Sequence, residues 1–344
     1  MKIRKIIEVL DKKMFESGDI YPIGLAEGKM GHCIYFFYIN KMFNNNEYEK
    51  NAESSLDRVF DQLKMIKIYD IKDGLAGIGL GIDYLVKNKY VKGNINNIIE
   101  DVDNVLFKQI CNPDNLNNND ISLQLQLIYY FTIRLKEQKK HSENEYLFRE
   151  SIINAINFIS DKLYPYFFDE SLSFNMENFS ILPLLVLNQC DELYSSKINR
   201  ILKEISFCAL SKIPTLHANR LYLLYTMDKI NKKINVKGWD EHIALLARES
   251  DVEYVIENEL ADNIYFFNGL SAIYYLLSDM AVFFTSSQIN KYKRMIINKI
   301  ENSPIWSKLI DDENYLKKKS GLFSGYTGTS IILQKHYNYE NRFH

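Results

Sequence analysis

The sequence predicts an all-α protein in which seven helix pairs close into a ring, an (α/α)7 toroid with seven outer and seven inner helices. Three observations predict it. Apolar residues recur at the helical period, and no segment alternates in the manner of a half-buried strand. Two helix types follow each other in strict order, amphipathic and then apolar on every side, seven times over. The first amphipathic helix has no predecessor and the last apolar helix no successor, so each completes the other if the array closes. Only 6 prolines and 14 glycines occur in 344 residues, which leaves room for long uninterrupted helices.

The amphipathic segments fall at about 2–15, 47–66, 95–110, 145–163, 195–211, 238–249 and 286–301, with ends uncertain by ~2–4 residues. In the third, Ile98, Ile99, Val102, Val105, Leu106 and Ile110 form one stripe. Ile152, Ile153, Ile156, Ile159 and Leu163 repeat it, as do Ile289, Tyr292, Ile296 and Ile300. Such stripes cover a core on one side and meet water on the other. The apolar segments are 30–42, 75–86, 121–133, 179–187, 216–227, 270–277 and 327–333. A helix apolar all round must be buried all round, and one hairpin cannot bury it. Stacking neighbours can, which is the logic of a repeat array. The expectation is a single domain over residues 1–344.

Composition narrows the function classes. Apolar residues make up 47% and charged residues 25%, with a net charge of -2. No bulk positive field recruits nucleic acid. The 24 tyrosines and 20 phenylalanines supply large side chains for crowded helix faces. The start of the chain carries charges without a following apolar run, so no export signal is read there. The best membrane candidate, residues 263–284, is diluted by Asn263, Asn268, Gly269, Ser278 and Asp279, and reads as a buried helix. Cys33, Cys111, Cys190 and Cys208 have no paired spacing, which fits reduced thiols in the cytoplasm.

Glycines mark the start of several apolar helices: Gly28-Lys29-Met30-Gly31, Gly74-Leu75-Ala76-Gly77, Gly269-Leu270-Ser271-Ala272 and Gly325-Tyr326-Thr327-Gly328. Small residues at i and i+3 permit close backbone approach. First-turn N–H groups beside them are expected to face a central opening and to favour anionic or carbonyl-rich ligands.

With their flanks, these segments resemble the repeats of the lanthionine synthetase C-like family: Gly28 to Phe37, Asp73 to Gly81, Phe267 to Ser271 and Gly321 to Gly328. The resemblance is strong in repeats one, two, six and seven, and weak in repeats three to five, where the glycines are missing. It implies the toroid fold and a role in modifying ribosomally made peptides. Catalytic members close thioether rings with a zinc ion that activates a peptide cysteine. Their ligands are a Cys opening the fifth inner helix and a Cys-His pair in a Cys-His-Gly motif at the sixth. Here Phe267 and Asn268 stand at the pair, and Pro214-Thr215-Leu216-His217 offers no Cys. Three protein ligands are the usual catalytic complement, so no zinc and no other cofactor is expected.

The remaining polar candidates cluster at inner-helix starts. His32 and His217 are weak catalytic candidates, as is Asp120, which resembles an Asp of the family at the third inner helix. A hydrogen-bonded core histidine is the competing explanation for the first two. Asp73 and Asp120 would serve equally as N-caps. Lys29, His32, Asp73, Asp120, His217, Asn219, Asn268, Ser324 and Tyr326 make up the expected binding rim, with Arg220 beside it. Of these, His32, Asp73, Asp120, His217, Asn268 and Tyr326 are expected to border one pocket, suited to an extended peptide. Three readings stay open on the residues. The first is a zinc-less peptide-modification protein whose partner is a precursor peptide or a modifying enzyme. The second is an unrelated α/α-toroid hydrolase or lyase, which needs paired acids and a tryptophan-lined cleft. The third is a non-catalytic scaffold. Trp239 and Trp306, the only tryptophans, fall on outer segments, against the second.

Overall fold

The computed structural model describes residues 2–16, 21–112, 121–168 and 182–340, and no strand occurs among them. In chain order the helices are α1 (Lys2–Glu16), α2 (Lys29–Phe43), α3 (Asn46–Gln62), α4 (Leu75–Lys87), α5 (Ile95–Ile98), α6 (Glu100–Cys111), α7 (Ile121–Leu135), α8 (Glu143–Phe168), α9 (Leu182–Ser211), α10 (His217–Ile234), α11 (Trp239–Arg248), α12 (Val252–Tyr254), α13 (Leu270–Asp279), α14 (Ser286–Glu301), α15 (Ile305–Asp311), α16 (Glu313–Lys318) and α17 (Tyr326–Glu340). Each of the fourteen expected segments is helical where it is described.

Four differences have local causes. The expected helix over 95–110 is split: Asn94 caps the short α5, and Ile99 leaves the helical region before α6 begins. The fourth inner segment and the fifth outer one run on as α9, broken only at Tyr194, whose φ of -150° and ψ of 54° turn the chain without a loop. Residues 179–181 of that inner segment lie outside the described residues. The second outer helix ends at Gln62, and Leu63–Met65 continue it as a 3-10 turn. Finally, Pro304 and Asp312 start two short helices, α15 and α16, that periodicity did not reveal; the Asp312 side chain accepts from the Tyr315 N–H at 3.0 Å. The 263–284 stretch forms only the ten-residue α13, and no described helix is long and apolar enough to cross a membrane.

The chain divides into two compact units. The second unit, residues 93–252, packs α7 on α8 and α9, and α10 on α9 and α11. Its polar anchor is Arg134, fully buried, whose guanidinium meets Asp103 at 2.8 Å while Tyr130 donates to the same carboxylate at 2.6 Å. Removing one partner would leave a buried charge unpaired, which is the costly way to break such a pair.

The first unit joins residues 1–92 to residues 253–344. Its inner helices pack in the order α13, α17, α2, α4, and α1 packs on α15. Helices from the first and last parts of the described chain therefore pack in one unit, and Asp11 on α1 fastens them. Its carboxylate accepts from Tyr326 on α17 at 3.0 Å, from Tyr35 on α2 at 3.0 and 3.1 Å, and from Tyr48 on α3 at 2.8 Å. Lys13 adds a bond from its ammonium to the Ile310 carbonyl at 2.6 Å. Three phenol donors favour the ionised carboxylate, whereas complete burial disfavours it. Burial wins, and the Asp11 carboxyl is pushed up to about 7.

That shift fixes a sign. The folded chain holds the Asp11 proton more tightly than the unfolded chain, whose carboxyl titrates near 3.8. The stability contributed by protonation is present below about pH 4 and is lost as pH rises through about 7. Between these limits, the unfolding free energy of the wild type relative to Asp11→Asn should fall by at most about 1.4 kcal/mol per pH unit. Urea titrations at three pH values measure this, and a pH-independent difference would show that the carboxylate is ionised throughout.

Candidate functional site

Four loops in the first unit are built alike, each ending in a glycine that caps an inner helix. In each, the N–H of the residue after that glycine donates to the carbonyl seven residues back: Lys29 to Pro22 at 2.8 Å, Leu75 to Ile68 at 3.0 Å, Leu270 to Asn263 at 2.8 Å and Tyr326 to Lys319 at 2.8 Å. The loop thus bends onto its own helix. A carbonyl oxygen then sits where the capping residue's side chain would be, 2.4 Å from a Cβ built at Gly28, 2.6 Å at Gly74 and 2.5 Å at Gly325. The second glycine, present in three of the four motifs, answers the same need. A Cβ at Gly31, Gly77 or Gly328 would lie 2.4, 2.0 or 1.9 Å from the carbonyl oxygen of Leu25, Ile71 or Leu322. The expectation that first-turn N–H groups are offered to a ligand is corrected here. Several are already bonded within the loops, including Met30 to Ile23 and Gly77 to Asp70.

The loops also bond to one another in register. Phe267 N–H donates to the Phe323 carbonyl at 2.9 Å, Phe323 N–H to the Ala26 carbonyl at 3.1 Å, and Ala26 N–H to the Lys72 carbonyl at 2.8 Å. Phe267, Phe323, Ala26 and Lys72 all stand two residues before the capping glycine. The belt therefore aligns the next position of each repeat, which is polar every time: Asn268, Ser324, Glu27 and Asp73. Phe267 and Phe323 stack with ring centres 5.5 Å apart, and the Lys72 ammonium lies 5.6 Å from the Phe267 ring while pairing with Glu27 at 3.5 Å. Ser324 is buried with its hydroxyl unpartnered, as is Asp73 Oδ1. Partial burial, then Glu27 and Asp70, hold the Asp73 carboxyl above its ordinary range. Asp73 is not the cap expected of it. Gly74 takes the cap position with no side-chain cap bond, and Asp70 instead braces the loop, its Oδ1 accepting from the N–H groups of Asp73 and Gly74 at 2.8 and 2.9 Å.

The other expected residues take different places. His32 is enclosed, 3.1 Å from the Ser320 hydroxyl and edge-on to Tyr21, and burial pulls it down to about 3. It is a neutral ring throughout the physiological range. Neighbouring Cys33 is also buried, which pushes its thiol up and away from a reactive thiolate. Lys29 is buried at the start of α2, and Tyr326 is committed to Asp11. In the second unit, His217 accepts from the Asp251 N–H at 3.0 Å. Arg220 donates to the carbonyls of Pro214, Glu249 and Thr215 at 2.6, 2.6 and 3.2 Å. These two staple the start of α10, with Asn219 half-buried between them. Asp120 lies outside the described residues. Of the expected rim, the belt aligns Asp73, Asn268 and Ser324. Glu27 and Lys72 were missed; aligning the repeats on the capping glycine would have found both.

Below the belt lies a groove of about 290 Å³, lined by Leu25, Ile34, Tyr38, Leu80, Gly81, Tyr84, Phe266, Leu322, Phe323, Ile331 and Lys335. All belong to the first unit.

Zinc does not fit the positions at which the resemblance places it. Phe267 has no donor atom, Asn268 offers only an amide, and residues 214–217 contain no thiol. Among the described residues no three His, Cys, Asp or Glu side chains converge as a metal site. In comparison with known proteins, no family model and no curated protein sequence matches the chain. Among solved structures it is similar to nisin cyclase, at 11% identity and a TM-score of 0.63, over 97% of this chain and 93% of that one. That likeness identifies the fold as an all-α, α/α-toroid fold shared with nisin cyclase.

Two outcomes are expected. Gly328→Ala forces a methyl group against the Leu322 carbonyl and should cost ~1–3 kcal/mol of unfolding free energy, as overpacking does; an unchanged melting temperature would show that the loop yields freely. Elemental analysis of the purified chain should find no stoichiometric zinc. One zinc per chain, lost on replacing His32 or His217, would reinstate a metal centre.

Proposed function

We propose that this chain is a lanthionine synthetase C-like protein of a peptide-modification system. In this reading it is a single cytoplasmic domain over residues 1–344. It holds a precursor peptide, or the enzyme that modifies one, and closes no thioether by zinc. The observation that carries the reading is the belt. The fold likeness to nisin cyclase runs the length of the chain, yet the positions of the zinc-binding pair hold Phe267 and Asn268. Both are built into the in-register belt, with Phe267 stacked on Phe323. A row of Glu27, Asp73, Asn268 and Ser324 beside two aromatic rings and Lys72 supplies donors and acceptors for peptide amides. The rim expected from sequence contracts to this row, because His32 and Tyr326 are occupied inside the core. The glycoside-processing alternative loses support from the tryptophans. Both are buried and bonded, Trp239 to the Ser206 hydroxyl and Trp306 to the Ile300 carbonyl, so neither can floor a sugar cleft.

The reading expects a short precursor-peptide gene beside this chain's own gene, and the test titrates that peptide calorimetrically onto the purified protein. Binding is expected, and Lys72→Glu should weaken it at least tenfold while leaving the melting temperature nearly unchanged. With the dehydrated peptide and added zinc, the number of alkylatable peptide thiols should stay constant. Zinc-stimulated loss of those thiols would establish cyclase chemistry and overturn the non-catalytic part. Absence of any binding would overturn the reading as a whole.

A further inference from the structure

The groove below the belt has a gradient of polarity. Its belt end is walled by Leu25, Phe266, Leu322 and Phe323. It then follows α2, α4 and α17 along residues one turn apart: Ile34 and Tyr38, Leu80 and Tyr84, Ile331 and Lys335. Its polar side-chain atoms come from the second member of each pair, two phenols and one ammonium, and so gather at the far end. These helices are apolar on nearly every side and should be covered on every side. Instead Tyr84 keeps 39% of its surface, Leu80, Ile331 and Tyr38 are half-exposed, and Lys335 is exposed. Lys335 is the one charged residue of the lining. It has no acidic partner among the described residues, only the edge of a favourable contact with the Tyr275 ring, 5.9 Å away.

We infer that this groove binds a short apolar peptide segment ending in an acidic residue, whose carboxylate meets Lys335 and whose apolar side chains run back toward the belt. The dimensions agree. From the capping glycine to Tyr38 is ten residues of helix, roughly 15 Å at ~1.5 Å per residue, the reach of about four extended residues. A volume of about 290 Å³ is at the small end of ligand sites, enough for a few side chains and too small for a folded partner. The charge selects the sign of the ligand's polar end, and the single lysine limits it to one carboxylate. This inference rests on the peptide-binding reading above and names the part of the peptide that the protein would read.

The test is fluorescence anisotropy with C-terminally amidated Leu-Phe-Leu-Asp and its amidated Leu-Phe-Leu-Lys counterpart, each carrying an uncharged fluorophore at its N-terminus, so that the last side chain alone sets the charge. The Asp peptide should bind the wild type at least tenfold more tightly than the Lys peptide. Lys335→Glu, an exposed change that leaves the core alone, should reverse that order. Leu80→Gln should weaken both peptides, and Lys317→Glu, outside the groove, neither. Equal binding of the two peptides, or no response to Lys335→Glu, overturns the inference. Binding of dodecanoate with none of either peptide also overturns it and makes the groove a lipid site. The two proposals fail separately. A neighbouring-gene peptide that binds wild type and Lys335→Glu alike sinks the groove and spares the peptide-modification reading. Charge-selective tetrapeptide binding without any binding of that peptide does the reverse.

Discussion

A carbonyl oxygen standing in the place of a side chain is the constraint on which the first unit depends. At the capping glycines the loop turns back far enough for its own helix to accept it, and any Cβ there would collide with the backbone. Once the loop is folded that tightly, the residue two positions earlier brings its backbone to the loop's edge. Four such edges then bond to one another. The polar row and the apolar end of the groove are therefore products of one local geometry repeated four times. A helix terminus usually leaves several N–H groups for ligands or solvent. Here the loops consume many of them, so the polar groups that the belt aligns are mostly side chains: Glu27, Asp73, Asn268, Ser324 and Lys72.

The same logic explains why the zinc-ligand positions of the resembled family hold what they do. Phe267 occupies a belt position, where its ring stacks on Phe323 and carries Lys72 above it. Asn268 adopts a left-handed φ of 51°, a conformation that asparagine tolerates better than most residues. Both residues satisfy the belt on its own terms. The histidines do likewise: His32 serves Ser320 and His217 the Asp251 N–H. At these positions the side chains hold loops together.

The alternation of helix types was readable because it is a property of neighbouring residues. Ile152, Ile156, Ile159 and Leu163 announce a face whatever they pack against, and all four are buried. The glycine motifs were readable for the same reason. The contacts that decide the site were not. His32 meets Ser320 across 288 positions and Tyr326 meets Asp11 across 315, and no local pattern marks either partner. Asp73 looked like a cap because caps precede helices, but Gly74 takes the cap position, and the loop turns back so that Asp70 accepts from the Asp73 and Gly74 N–H groups before the helix begins. The groove escaped notice because it is a space left between three helices, and sequence periodicity reports only what each helix presents.

The discontinuity of the first unit bears on how the chain is made. Residues 1–92 emerge early with α2, in which Met30, Cys33, Tyr35, Phe36 and Phe37 are all destined for burial. Of the helices that pack on α2, α3 and α4 follow at once, but α17 is synthesised only after the whole of the continuous second unit. At ~5–20 residues per second, that interval is on the order of ten to fifty seconds. The second unit can finish its packing as it leaves the ribosome, while the first waits with an uncovered apolar surface and an Asp11 still lacking Tyr326. Nascent chains halted anywhere before residue 326 should therefore be clients for chaperones, and the last helix to appear completes the unit that began first.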